Sequence, residues 1–264
     1  MIKLELINKD NQIIWMDKGI DSANLTRDRN YLLGDYFQIE VDHVPCFIYV
    51  QLEESIRPAL IYLTKKIWRY EIPLNLGRES PYPEGSFLHR KGFSWARYAT
   101  KEEIKGMNLL SENSYDQHED AGSYPHALAN IETRNDPVFW AKNTIDGIVA
   151  NSSHGNYPYQ SWGTGGSESA YLKIDFGREV CVSQICISLR ADFPHDSYWK
   201  KARVSFSNHK ETEISLNKTS LEQVFLFNSI NTSWVKLDNL VVADPKKNIA
   251  ALTQIKVWGR NIER

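Results

Sequence analysis

Cysteine is scarce in this chain, with three in 264 residues, at positions 46, 181 and 186. None falls in a CxxC pair, which removes thiolate metal sites and dithiol redox motifs. Cys181 and Cys186 lie five apart in one strand-like run, an offset that puts them on opposite faces of a regular strand and out of bonding reach. All three read as reduced, buried thiols. Charge of one sign is lacking as well: 31 Lys and Arg stand against 33 Asp and Glu, for a net charge of -2. The basic face of a nucleic-acid binder has no support in that balance. No apolar run approaches the roughly 20 residues of a membrane-crossing helix. The amino terminus, Met1-Ile2-Lys3-Leu4-Glu5-Leu6, carries charges where a secretory signal carries its apolar stretch, so a cytoplasmic location is expected. HExxH, GxSxG and Walker A patterns are missing, and Gly163-Thr164-Gly165-Gly166 has no Lys behind it to make a phosphate cradle. Internal repeats and low-complexity tracts are absent too.

Alternating and β-branched runs are abundant. Ile2–Leu6, Phe37–Val41, Phe47–Leu52, Ala59–Leu63 and Trp68–Leu74 read as strands. Leu33-Gly34-Asp35, His43-Val44-Pro45 and the Gly, Pro and Ser stretch from Gly77 to Gly85 punctuate them. Thr100 followed by Glu103 has capping-box spacing and predicts one short helix. A polar stretch, Asn108 to Asp120, follows it. Further strand patterns cover Ala170–Phe176, Val180–Leu189, Ala202–Ser207, Thr212–Leu216, Glu222–Phe227, Trp234–Leu237 and Leu252–Trp258. The length suits two sandwiches better than one. The expected fold is therefore all-β, with two β-sandwich (jelly-roll) domains at 1–107 and 108–264.

Several pieces of the second domain fall in a telling order. They are Ala141-Lys142-Asn143-Thr144-Ile145-Asp146-Gly147, Ser161-Trp162, Leu172–Gly177, Ile185–Arg190, Val204–Ser207 and Gln254–Gly259. In these the second domain resembles the discoidin-like, coagulation factor 5/8 type C family, also described as galactose-binding-like or family 32 carbohydrate-binding modules. The resemblance implies an eight-stranded jelly roll with ligand loops at one end, and the structural calcium ion of many members. The metal loop it implies is Asn143, Asp146 and Gly147, completed by a Glu just before the last strand, where this chain has Gln254. A Gln carbonyl can ligate calcium but brings no charge, which lowers affinity. The other reading of Asp146-Gly147 is a tight turn in which Asp bonds its own backbone.

Two loops are dense in polar and aromatic residues: Asn151–Trp162 and Arg190–Lys200. A pyranose presents vicinal hydroxyls that want a carboxylate beside an Arg or His, and an apolar face that wants an aromatic plane. Arg190, Asp192, His195, Asp196 and His154 supply the first, with Tyr159, Trp162, Tyr198 and Trp199 as candidate platforms. A third set, Tyr115 to Asp120 with Tyr124-Pro125-His126, is expected to fold against them. Each of these residues also has a structural reading as core aromatic, loop-fixing ion pair or turn cap. The function expected is carbohydrate binding without bond cleavage, the saccharide being the partner, with neither nucleic acid nor membrane. Two alternatives stay open. One is a saccharide-acting hydrolase built on His154, His195, Asp192, Asp196 and His118, with or without a metal. The other is a protein-interaction module. Oligomeric state is left open.

Overall fold

The computed structural model describes residues 1–75, 80–191, 197–246 and 249–262. Strands dominate both halves. In the first, β1 (Ile2–Ile7), β2 (Ile13–Gly19), β3 (Ser22–Asp28), β4 (Tyr36–Val41), β5 (Cys46–Gln51), β6 (Ala59–Leu63), β7 (Ile67–Glu71) and β8 (Lys91–Tyr98) are joined in antiparallel pairs. They are divided between a sheet ordered β2-β1-β4-β7 and another containing β6-β5-β8-β3. The two-residue period is kept faithfully: β5 turns Cys46, Ile48 and Val50 inward, and β7 turns Trp68 and Tyr70 inward. These meet Leu4, Leu6, Ile39 and Ile61 in one core, the layer on which a sandwich depends. Helix α1 (Lys101–Ile104) follows β8. Its capping box is formed, with the Glu103 amide donating to Thr100 Oγ1 at 3.3 Å and the Thr100 amide to Glu103 Oε2 at 2.8 Å.

The second sandwich is one sheet folded over on itself. Its elements are β9 (Asn108–Leu109), β11 (His126–Ala129), β12 (Trp162–Gly163), β13 (Leu172–Arg190), β14 (Trp199–Phe206), β15 (Glu211–Ser215), β16 (Gln223–Val242) and β17 (Ala251–Asn261); β10 (Ser123–Tyr124) joins β6 of the first domain instead. The long strands β13 and β16 each serve both layers. Residues 172–175 of β13 pair with β11 and with 234–237 of β16, while residues 180–190 pair with β17 and the start of β16. Between them the pairing breaks at Gly177, whose φ of +63° only glycine adopts cheaply and whose missing Cβ would meet the Tyr124 ring at 2.3 Å. Leu172, Ile174 and Phe176 from one limb and Val182, Ile185 and Ile187 from the other are buried in a common core.

A second irregularity in β13 overturns one expectation. The register with β17 slips between Val182 and Gln184, a β-bulge. It restores Ile185, Ile187 and Leu189 to the core side and brings Cys186 to the same outer face as Cys181. Both cysteines remain free thiols.

The polar stretch after α1 stitches the domains together. β9 pairs with β17 of the second sheet. Tyr115 then plunges into the first core with no exposed surface. β10 extends the first domain's sheet against β6, and β11 returns to the second. The Tyr115 hydroxyl accepts the Leu52 and Glu53 amides at 2.9 and 3.2 Å and donates to Glu53 O at 3.2 Å. Residues 108–129, placed wholly in the second domain by their position in sequence, thus belong structurally to both.

Candidate functional site

Strand pairing sets what lies at one end of the second sandwich. Arg190 closes β13 opposite Ala251, and Gly163 in β12 is opposite the same Ala251 from the other side. The 3-10 turns Thr133–Asn135 and Pro137–Phe139 lie beside this end, and the loop through His154 completes it. Together they enclose a hollow of about 500 Å³ lined by Thr133, Arg134, Phe139, His154, Gly163, Gly165, Arg190 and residues 249–251. Gly163 keeps its floor open, since a Cβ there would lie 2.5 Å from Thr133 Oγ1. Thr133 Oγ1 also accepts the Gly165 amide at 2.9 Å, which fixes the opposite rim.

Among the described residues that line the hollow, the charged side chains are two arginines, Arg134 and Arg190. Arg190 is buried, and its Nη2 donates to the Ile249 carbonyl at 3.2 Å. His154 is exposed. Arg134 is exposed and held by Asp136, with its guanidinium 5.3 Å from the centre of the Phe139 ring. Phe139 and the exposed Ile249 supply apolar wall.

His154 and Arg190 are thus brought together as the sequence suggested, and Tyr159 is not among the lining residues. Trp162 and Trp199 require correction. They are 0% and 1% exposed and pack on each other in the core, ring centres 5.9 Å apart, with Trp162 Nε1 donating to the Ile131 carbonyl at 3.0 Å. Neither offers a face to a sugar, because both point between the layers. Asp192, His195 and Asp196 lie outside the described residues. Thr133, Arg134 and Phe139 escaped sequence reading because they sit in turns without periodicity. The one signal was the turn-rich run Thr133-Arg134-Asn135-Asp136-Pro137.

The third polar set lines a different hollow. About 620 Å³ in volume, it opens between the domains and is walled by Leu33, Arg69 and Glu71 on one side and Gln117, His118, Trp140 and Lys142 on the other. His118 packs against Trp140, ring centres 4.4 Å apart and planes tilted by 33°, and bonds Glu132 at 2.7 Å. That bond to Glu132 raises the imidazole pKa, against the opposing effect of partial burial. Gln117 exchanges two hydrogen bonds with the Glu71 backbone, as a paired strand would. The segment 132–140 divides this cleft from the loop-end hollow.

The proposed metal ligands Asn143, Asp146 and Gln254 do converge, but in an arrangement that does not fit calcium. Gln254 Nε2, a donor, faces the oxygens where a cation would have to sit, leaving Asp146 as the only carboxylate among these three residues. Calcium takes six to eight oxygen ligands and draws its affinity from their charge. Burial pushes the Asp146 carboxyl up to about 7, opposed by hydrogen bonds from Gln160, the Ile148 amide and Gln254 and by the charge of Lys142. Elsewhere among the described residues, no three His, Cys, Asp or Glu side chains are grouped to hold a metal ion. No helix among them is long and apolar enough to cross a membrane.

No protein-family model matches the chain, and no curated protein matches it. Solved structures to which it is similar include the family 32 carbohydrate-binding module of C. perfringens NanJ in complex with galactose. That likeness is at 22% identity over 50% of this chain and 91% of that one, with a TM-score of 0.38. Chitosan-binding module 1 from the chitosanase/glucanase of Paenibacillus sp. IK-5 is similar at 15% identity over 58% of this chain and 99% of that one, TM-score 0.42. A Streptococcus pneumoniae fucose binding module is similar at 13% identity over 59% and 97%, TM-score 0.41.

Proposed function

We propose that this protein binds a saccharide, without cleaving it, in the loop-end hollow of the second sandwich. The observation that carries the reading is the convergence of His154 and Arg190, from separate segments, on one hollow of about 500 Å³. That size suits a small ligand, for which pockets of about 300–1,000 Å³ are usual. The exposed Arg134 guanidinium offers a fixed fork of donors suited to a pair of vicinal hydroxyl oxygens, and the His154 imidazole lines the same hollow. Partial enclosure beside buried Arg190 strengthens such bonds relative to water. Phe139 and Ile249 give a C–H face something apolar to rest on.

Calorimetric titration of the full chain against a panel of neutral and acidic mono- and oligosaccharides tests this reading. A hydrogen bond to a charged donor contributes about 1.5–3 kcal/mol, so Arg134→Ala is expected to weaken binding by roughly tenfold or more, and His154→Ala, which removes an ordinary hydrogen bond of about 0.5–1.5 kcal/mol, by roughly two- to tenfold. Both side chains are exposed, so the melting temperature should hold. A panel without any binder, or variants that bind as the parent does, counts against the proposal.

Docking of another protein is the second reading, favoured by Val224 and Leu226, which stand exposed at the start of β16, and by exposed Leu221 just before it. This part of β16 pairs only with β13 among the described residues, leaving a free edge. Leu226→Glu separates the two readings, because it should disrupt such docking and leave sugar titration unchanged.

A further inference from the structure

Five polar groups lie within hydrogen-bond distance of the Gln254 side chain, which is 2% exposed. Its Nε2 lies 3.2 Å from Asn143 O, 3.1 Å from Asp146 Oδ1, 3.3 Å from Ile148 O and 3.3 Å from Thr253 O. Its Oε1 accepts the Gly147 amide at 3.1 Å. The second Asp146 oxygen accepts Gln160 Nε2 at 2.7 Å, and the first also accepts the Ile148 amide at 2.8 Å. Backbone carbonyls and a carboxylate turned toward one point are what a hard cation attracts. Here that point holds the NH2 group of an amide.

We propose that the Gln254 amide takes the place of a structural calcium ion and fastens the 143–148 loop to the last strand without metal. An amide has two protons to offer and one oxygen to accept with, and this environment uses both ends. For a cation to enter, the amide must turn by half a rotation to bring Oε1 into the ring of oxygens. That turn breaks the bond from Gly147 and sets the NH2 group against the Gly147 N–H, donor against donor. The oxygens are therefore matched to a neutral donor. The fastening reaches the proposed ligand loop as well, since Gln160 at the end of 151–160 is tied to Asp146. Gly147 is part of the device: its φ is +82°, and a Cβ would lie 2.6 Å from Arg57 Nη1.

The test uses thermal melting of the full chain in excess EDTA and in millimolar calcium, with magnesium as the control for unspecific ion effects; no sugar is involved, so the outcome is independent of the proposed function. The parent protein is expected to melt at the same temperature in all three. Gln254→Glu replaces the donor with a second carboxylate facing the same oxygens. Its melting temperature should become calcium-dependent, low in EDTA and raised saturably by calcium. Gln254→Leu should melt lower than the parent, equally with and without calcium. If Gln254→Glu cannot be obtained folded in EDTA, refolding in calcium decides: recovery there supports the replacement, and failure in both media overturns it. Saturable calcium stabilisation of the parent overturns it outright, as does a Gln254→Glu protein indifferent to calcium.

Discussion

Replacing Tyr115 with Phe removes one oxygen atom and tests how the two domains are held together. The ring is fully buried in the first domain's core, so Phe fills nearly the same space and leaves no cavity. What is lost is the acceptor for the Leu52 and Glu53 amides at the end of β5, and the donor to Glu53 O. Glu53 O keeps a second partner in the Ile56 amide. The two amides are deprived of this acceptor inside the protein. A buried donor left unsatisfied costs about 1–3 kcal/mol, so the pair predicts a loss of roughly 2–4 kcal/mol when partial relaxation is allowed for. In a domain of this size each kcal/mol lowers the melting temperature by about 4–8 °C. Urea denaturation followed by tryptophan fluorescence measures the change directly, because Trp68 lies in the same core. A loss under about 0.5 kcal/mol, the range of ordinary surface changes, would refute the assignment of Tyr115 as the anchor of the connecting segment.

Three further outcomes follow from the packing and the charges. Trp162→Phe should destabilise the second domain by about 2 kcal/mol or more, through lost volume and the unpaired Ile131 carbonyl. In denaturant titration this loss should appear while the folded protein binds sugar as before. His126 is buried and bonded to Asp116 at 2.8 Å, and its pKa is raised above 6.5 because the Asp116 charge and hydrogen bond outweigh a large burial penalty. A raised histidine pKa stabilises the fold fully below pH 6.5 and loses that contribution as pH climbs through the folded value. Stability should thus decline on the alkaline side of 6.5, and His126→Gln should flatten that slope in denaturation curves taken across pH. Glu103 behaves oppositely. Its bond to Arg97, aided by the Thr100 amide and hydroxyl, lowers its pKa from 4.5 to about 2. The contribution is present above pH 4.5 and is lost as pH falls through about 2. Arg97→Met should weaken that acid dependence, and carbon-detected NMR titration of Glu103 should report the low value directly.

The strands that were read were readable because alternation is imposed by the pleat itself, as in β5 with Ile48 and Val50 inward; β3 was passed over although it alternates as plainly, because its outward residues Ser22, Asn24 and Thr26 and its few apolar ones, Ala23 and Leu25, look like a polar loop. Thr100 and Glu103 were equally readable, since capping is local. The connecting segment was not. Tyr115 stands among polar residues whose sequence says linker, and only the open core of the first domain explains its burial. The bulge at residues 182–184 moved Cys186 across the strand, a choice made by pairing with β17 and hidden in the one-dimensional pattern. Trp162 and Trp199 were misassigned because an aromatic at a strand end reads the same whether it turns inward or outward. The meeting of His154 with Arg190 was foreseeable from two dense loops, whereas Thr133, Arg134 and Phe139 entered the hollow through turns that carry no period.

Backbone NMR mapping of the saccharide titration tests the central claim most directly. With the best-binding sugar of the panel, the account predicts that amide shifts cluster at Thr133, Arg134, Phe139, His154, Gly163 and Gly165. Perturbations centred instead on His118, Trp140 and Arg69 would move the receptor to the cleft between the domains and contradict it.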